Sequence, residues 1–145
     1  MTPEFARVEV GVEVGLEGVL EELRMREPIF HTRAFGLTAQ ERERAMDSAY
    51  WEVGASGRRY SREFIQRMLA DSPSVEAGVA GWRCWEFGLR RLGADTFLLT
   101  YTLDQGKRVT RRATIWEKTA EVWRIVYHHG TVVTGEDDTV AETAS

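Results

Sequence analysis

The sequence is short of cysteine: Cys84 is the only one among 145 residues, so no disulfide can form within the chain. A lone cysteine is typical of a reducing compartment, and we expect a cytoplasmic protein. Because Cys84 lies between Trp82 and Trp85, we predict a buried, unreactive thiol, since free cysteine commonly packs as a small hydrophobic side chain.

Long apolar runs and an excess of positive charge are also missing. No stretch approaches the roughly 20 apolar residues of a membrane helix, and no basic start followed by an apolar block indicates a signal peptide. The net charge is −4, whereas nucleic-acid binding usually needs a concentrated basic surface. We therefore expect neither a membrane nor a nucleic acid as a partner.

The sequence also lacks the residue spacing that is typical of metal ligands. His128 and His129 are adjacent, and neighbouring side chains of a strand point to opposite faces, so the two cannot easily share an ion. No cysteine–histidine spacing or carboxylate triad accompanies them. We expect no metal and no cofactor.

Three helices are predicted in the first half of the chain. Apolar residues at helical spacing begin at Leu16, and Pro28 breaks the run because it lacks an amide hydrogen. Thr38–Glu41 has the capping-box pattern that starts a second helix, which we expect to end near Asp47. Ser61 is a suitable N-cap for the third helix.

Strand patterns account for most of the remaining residues. Tyr50–Val53 is rich in strand formers, and after a turn a short strand is predicted at Arg58–Tyr60. Four long strands follow, at Trp82–Arg91, Thr96–Asp104, Arg108–Glu117 and Val122–His129. Since short links join antiparallel neighbours, we predict an α+β fold in which three N-terminal helices pack on an antiparallel sheet.

The chain divides into three parts by composition. Valines alternate with glutamate and glycine within residues 1–15, which predicts an extra edge strand, an extended arm on a partner or a mobile tail. Residues 16–133 carry the helix and strand patterns of one domain. Residues 134–145 are acidic and polar, and we expect a flexible tail.

Both faces of the predicted sheet are apolar. Strand parity puts Trp85 and Phe87 on one side of their strand, and Phe97 on one side of the next, with apolar residues opposite as well. One face can pack on the helices, but the other would stay exposed unless a second copy covered it. We therefore expect a homodimer, formed through Trp85, Phe87 and Phe97 or through their opposite-face neighbours.

Four segments, taken together, resemble the nuclear transport factor 2-like superfamily, in particular a branch of unknown function: residues 27–31, 51–57, 112–116 and 123–131. The similarity covers about residues 16–133, and departs where relatives often have serine for Ala113 and glutamine for His129. It implies a cone in which a strongly curved sheet wraps a long helix and encloses a pocket. The superfamily includes isomerases, dehydratases, cyclases, epoxide hydrolases and non-catalytic binders, so the fold alone does not give an activity.

Glu52 is the first candidate for chemistry, since a carboxyl in an apolar strand has a raised pKa and can carry a proton near neutral pH. A structural ion pair with Arg112 is the alternative that we favour. His129 is the second candidate, because strand parity puts it with Trp123 and Tyr127, facing the pocket, and puts His128 on the other side. A structural histidine is the favoured alternative here as well.

Aromatic residues supply the predicted ligand site, because pockets are mostly apolar with few polar groups. We expect the ligand to contact Trp51, Trp116, Trp123, Tyr127 and Arg112. Three functions stay open: a dimeric domain that binds a small, largely apolar molecule, an acid–base enzyme that uses Glu52 or His129, and a structural domain with a filled cone. We rank binding first, because no complete catalytic constellation is visible.

Overall fold

The computed structural model describes residues 10–71 and 81–134. Its elements are α1 (Glu17–Arg24), α2 (Ala39–Arg44), β1 (Met46–Val53), β2 (Arg59–Ser61), α3 (Arg62–Ala70), β3 (Arg83–Arg91), β4 (Thr96–Asp104), β5 (Val109–Thr119) and β6 (Val122–Val132). The α+β class is confirmed. Among residues 10–71 and 81–134, two helices, α1 and α2, precede β1, and α3 follows the β1–β2 hairpin, so the prediction of three N-terminal helices holds in part. No helix within the described ranges is long and apolar enough to cross a membrane.

Side-chain caps start two of the helices where the sequence predicts them. The Thr38 hydroxyl accepts from the Glu41 amide at 3.0 Å, and the Ser61 hydroxyl accepts from the Phe64 amide at 3.2 Å. The Glu41 carboxylate in turn accepts from the Leu37 amide at 3.0 Å. Helix α2 ends earlier than expected, because the chain already enters β1 at Met46.

The six strands form one sheet in the order β2-β1-β6-β5-β4-β3. Strands β3 to β6 make the predicted antiparallel meander. The prediction of an antiparallel sheet is wrong at one place, because β1 pairs with β6 in parallel. The long chain segment between β1 and β6 permits this, whereas the short links of the meander do not. The sheet is therefore mixed.

Two bulges reverse the side-chain alternation that the sequence suggests. On β6, Ile125 lies opposite Trp116 and Tyr127 lies opposite Ile115, so Val126 is one extra residue in the strand. On β3, the register also shifts by one residue between Trp85 and Gly88. An extra residue moves every following side chain to the other face, which simple parity cannot anticipate.

The hydrophobic core lies on one face of the sheet, here called the core face. Leu99, Tyr101, Trp116 and Ile125 point to it and are at most 3% exposed. Side chains from the helices and from the loop between α1 and α2 cover this face, including Leu23, Ile29, Phe35 and Ile65. The opposite face, here called the outer face, carries Trp51, Ala113, Ile115, Tyr127 and His129.

The chain before α1 lies along the free edge of β3. Val12 forms a parallel bridge with Leu89, and the Leu89 amide donates to the Gly11 carbonyl at 3.1 Å. Gly88 allows this approach, because a Cβ there would lie 2.7 Å from Val10 Cγ1 and 2.8 Å from Thr100 Oγ1. The rest of the predicted arm, residues 1–9, and most of the predicted tail, residues 135–145, lie outside the described residues.

Candidate functional site

The buried carboxylate of Glu27 is the centre of the candidate site. Glu27 is 5% exposed and follows α1, and its Oε1 accepts from the Tyr101 hydroxyl at 2.7 Å and from the Ile29 amide at 3.2 Å. Its Oε2 accepts from the Trp116 indole nitrogen at 3.0 Å. Three donors therefore hold the carboxylate against the core face of β4 and β5, so its position is fixed before any ligand binds.

Thr114 joins Glu27 to a buried histidine. The Thr114 hydroxyl lies 2.7 Å from Nδ1 of His128, its cross-strand neighbour, and it also lies close enough to Glu27 to favour the charged carboxylate. The neutral His128 ring has two possible tautomers. In one, Nδ1 donates its hydrogen to the Thr114 hydroxyl and Nε2 carries a lone pair; in the other, the Thr114 hydroxyl donates to Nδ1 and Nε2 carries the hydrogen. In both tautomers Nε2 is buried without a hydrogen-bond partner among the described residues.

Glu52 also lies on the core face, on the strand beside His128. Its Oε1 accepts from the Tyr50 hydroxyl at 2.7 Å. The predicted ion pair with Arg112 is wrong: within residues 10–71 and 81–134, Arg112 pairs with no carboxylate and donates from Nε to the Thr110 hydroxyl at 3.2 Å. The charge of Arg112 reaches Glu52 only through space.

Burial shifts the pKa of each titratable group in this cluster toward its neutral form. It raises the pKa of Glu27 above 4.5, against the opposing effects of its hydrogen bonds and of Arg112. It also raises the pKa of Glu52, against the bond from Tyr50 and the charge of Arg112. Burial lowers the pKa of His128 well below 6.5, and electrostatic interactions with Arg112 and His129 lower it further. His128 is therefore neutral at physiological pH.

A cleft of about 670 Å³ opens beside Glu27. Glu27 forms part of its floor, and the loop after α1 and the start of β3 form its walls, through residues that include Pro28, His31, Trp82 and Cys84. The His31 and Trp82 rings meet edge to face at 5.2 Å. Cys84 is half-buried, and burial raises the pKa of its thiol to about 11, so little thiolate is present at neutral pH.

His129 lies on the outer face, so the prediction that its ring points inward is wrong. The Val126 bulge puts His128, not His129, on the same face as Trp123 and Ile125. The His129 Nδ1 lies 2.7 Å from the Tyr127 hydroxyl, and the Tyr127 ring meets the Trp51 ring edge to face at 4.9 Å. Trp51 is 44% exposed.

The five predicted ligand contacts do not form one site. Trp51 and Tyr127 share the outer face, whereas Trp116, Trp123 and Arg112 share the core face with the Glu27 cluster. Trp116 and Trp123 are 0% and 5% exposed and meet edge to face at 6.2 Å, which is core packing. Glu52 is the predicted catalytic residue that the structure puts near the cluster.

The sequence interpretation missed Glu27 and His128. Glu27 precedes Pro28 in a segment that carries the superfamily resemblance, which was a usable signal, but no periodic pattern surrounds it. A second usable signal lies on β5, where the alternation of a strand puts Arg112, Thr114 and Trp116 on one face, so that their polar groups form one line. No residue pattern indicated the bulge that turns His128 inward. In the part of the chain that the structure describes, no group of three potential ligand side chains could hold a metal.

The comparisons with known proteins give the fold. No family model and no curated protein matches the sequence. A solved nuclear transport factor 2-like protein from Cytophaga hutchinsonii superposes with a TM-score of 0.61 at 10% identity, covering 83% of this chain and 100% of that one. A cystatin-like fold protein from Burkholderia xenovorans gives 0.60 at 12% identity, covering 81% and 90% of the two chains.

A third solved structure is a protein of unknown function from Pectobacterium atrosepticum. It gives a TM-score of 0.58 at 18% identity, and the alignment covers 81% of this chain and 88% of that one. At these identities the likeness shows the fold and not the activity. The resemblance carried by the four sequence segments is thereby confirmed at the level of structure: the chain has the nuclear transport factor 2-like, or cystatin-like, fold.

Proposed function

We propose that this protein is a small-molecule-binding domain whose ligand occupies the cleft beside Glu27. The observation that carries the proposal is a cleft of about 670 Å³ lined by Glu27, whose buried carboxylate is held in place by Tyr101 and Trp116. That volume lies within the roughly 300–1,000 Å³ typical of ligand sites. A pocket that is largely formed before binding also avoids part of the entropy cost of ordering the site.

The lining favours a largely apolar ligand with one acidic group. Pro28, Trp82 and Cys84 offer apolar contact, and the Trp82 ring suits a flat molecule. Arg24 and Arg33 lie along the same cleft, where a guanidinium can bind a carboxylate or a sulfonate. The positive charges of Arg24 and Arg33 would orient such a ligand with its acidic group toward these two residues.

Binding is favoured over catalysis by the bonding of Glu27. Both of its oxygens already accept hydrogen bonds from protein donors, so the carboxylate has limited capacity to take a proton from a substrate. Its role in this proposal is to fix the loop that forms the cleft wall.

Anilinonaphthalene sulfonate, an aromatic anion, is a suitable probe for the cleft. We expect saturable fluorescence enhancement in the native protein, and a reduction of about tenfold or more in affinity for Ala34→Phe, which fills the cleft from an exposed position. Ala94→Phe, in the exposed β3–β4 turn, is the matched control and should bind normally. Native mass spectrometry of the purified protein would show any retained natural ligand.

Absence of dye binding and of a retained ligand would instead favour the structural-domain alternative. Equal affinity in Ala34→Phe and Ala94→Phe would place the ligand elsewhere on the protein. Either result contradicts the proposal.

Acid–base catalysis is the second candidate, and the unbonded Nε2 of His128 is the observation that favours it. A buried ring nitrogen without a partner costs about 1–3 kcal/mol, unless a water or a ligand bonds to it. His128 and Glu52 lie on adjacent strands and face the core together, so a substrate that reached them would meet two proton carriers. Loss of turnover in Glu52→Gln, with unchanged dye affinity, would support this function over simple binding.

We also propose that the protein is a homodimer formed through the outer face. The helices cover the core face, and two tryptophans, Trp51 and Trp85, remain 44% and 37% exposed on the other. Large exposed aromatic side chains on a sheet face are typical of an interface. Sedimentation of Trp51→Glu should show a monomer, while Leu92→Glu, an equally apolar exposed site in a turn, should leave the dimer intact. A monomeric native protein at micromolar concentration would refute the dimer.

A cytoplasmic location is proposed on the basis of the single cysteine, which suits a reducing compartment. Cell fractionation with a tagged full-length chain would test it, and recovery with membranes or in an oxidising compartment would contradict it. The acidic net charge supports the expectation that the partner is not a nucleic acid.

A further inference from the structure

A second cleft, of about 500 Å³, lies apart from the Glu27 cleft and brings together three arginines that are distant in sequence. Arg44 comes from the end of α2, Arg62 from the start of α3 and Arg124 from β6. Ser48, from β1, also lines it. This convergence could not be predicted from the sequence, because the three residues belong to three separate elements.

Arg62 is held in place by backbone groups. Its Nε donates to the Asp47 carbonyl at 3.0 Å, and its Nη2 donates to the Glu43 carbonyl at 3.0 Å. These bonds fix the plane of the guanidinium and leave the Nη1 hydrogens for another acceptor. A guanidinium that is already oriented loses less entropy when it binds an anion than a freely rotating one.

Within the part of the chain that the structure describes, the arginines that line this cleft are not held in ion pairs. Among residues 10–71 and 81–134, none of the three arginines forms an ion pair with a carboxylate. Glu43 is the acidic residue in the lining, so the lining carries three positive charges against one negative charge. Three guanidinium groups that line one open cleft repel one another, and an anion bound between them would offset that repulsion.

We propose that this cleft binds the phosphoryl group of a small soluble molecule. A phosphate dianion balances the excess charge of two, and its oxygens match the paired N–H donors of guanidinium groups. The Ser48 hydroxyl offers a further donor. The site is separate from the proposed ligand cleft, so it would hold a second ligand or a regulatory anion.

Calorimetric titration of the full chain with inorganic phosphate and with pyrophosphate, at constant ionic strength, tests the proposal. We expect saturable binding of at least one anion, and about tenfold or greater loss of affinity when Arg44→Gln and Arg124→Gln are combined. Arg62 is left unchanged, because its bonds also tie α2 to β1. The control combines Arg58→Gln with Arg59→Gln, which removes the same charge from the exposed β1–β2 hairpin and should leave affinity within about twofold.

Three outcomes would overturn the proposal. The first is no binding of either anion at millimolar concentration, and the second is equal weakening in both double variants, which would show general charge attraction. The third is binding to phosphatidylcholine vesicles that carry phosphatidic acid without binding of the free anions, which would make a lipid surface the partner. Ala34→Phe should leave anion affinity unchanged, so failure here is distinguishable from failure of the Glu27 cleft.

Discussion

Acid should destabilise this protein through His128. Because burial lowers the pKa of His128 well below 6.5, the folded protein binds fewer protons at this residue than the unfolded chain does. Above pH 6.5, His128 is largely neutral in both the folded and the unfolded state, so it does not reduce stability. As the pH falls below 6.5, the unfolded chain takes up a proton that the folded protein does not, and the free energy of unfolding decreases. His128→Gln removes the titration and keeps a group that can bond to Thr114.

The size of the effect follows from the linkage relation. Each pH unit between the folded and unfolded pKa values changes the free energy of unfolding by about 1.4 kcal/mol for one group. Between about pH 7.5 and 5.5, the unfolded histidine alone contributes a loss of about 1.4 kcal/mol. Glu27 and Glu52 act in the opposite direction, because their pKa values are raised, and their contribution is lost as the pH rises above 4.5. Because Glu27 and Glu52 are present in both the native protein and His128→Gln, the difference in acid sensitivity between these two proteins measures the contribution of His128.

Urea unfolding at the two pH values measures this difference directly. The native protein should lose about 1.4 kcal/mol more than His128→Gln on acidification. His129→Gln is the control, since it removes a histidine from the same strand on the other face. Identical acid sensitivity in native protein and His128→Gln would mean that His128 is not held neutral in the core, and the core-face assignment would fail.

Three further predictions concern stability and are also measured by urea unfolding. Glu27→Gln should cost about 1–3 kcal/mol, because the amide puts a donor where Glu27 now only accepts; an unchanged midpoint would contradict the hydrogen-bonded carboxylate. Glu52→Gln and Arg112→Gln should show a coupling energy of less than about 1 kcal/mol in a double-mutant cycle, because the two residues form no direct ion pair. A coupling energy of about 3–5 kcal/mol would show that the ion pair does form. Gly88→Ala should cost about 1–3 kcal/mol by displacing Val10, and a neutral result would show that the chain before α1 does not lie on β3.

Local sequence signals predicted the elements well because local chemistry determines them. The Thr38 and Ser61 caps, the meander and the α+β class follow from side-chain types and short links. The parallel pairing of β1 with β6 did not follow, because it depends on packing between residues that are far apart in the chain.

The candidate site was harder to predict because it depends on one inserted residue. Without Val126 as a bulge, strand parity would put Tyr127 and His129 with Trp123, as the sequence interpretation assumed. Glu27 was missed for a different reason: it lies in a loop without periodicity, and its donors, Tyr101 and Trp116, come from distant strands. Glu52 was predicted as a carboxyl in an apolar strand, and the structure puts it on the core face, where its hydrogen-bond partner is Tyr50 and not Arg112.

The most direct test of the account is a two-dimensional NMR titration of labelled protein with anilinonaphthalene sulfonate. Binding in the cleft predicts the largest shifts at the Trp82 indole and at the backbone amides of residues 29–34, with smaller changes at the Trp116 indole behind Glu27. Shifts confined to the Trp51 and Tyr127 region, or no saturable shifts at all, would contradict a ligand site beside Glu27.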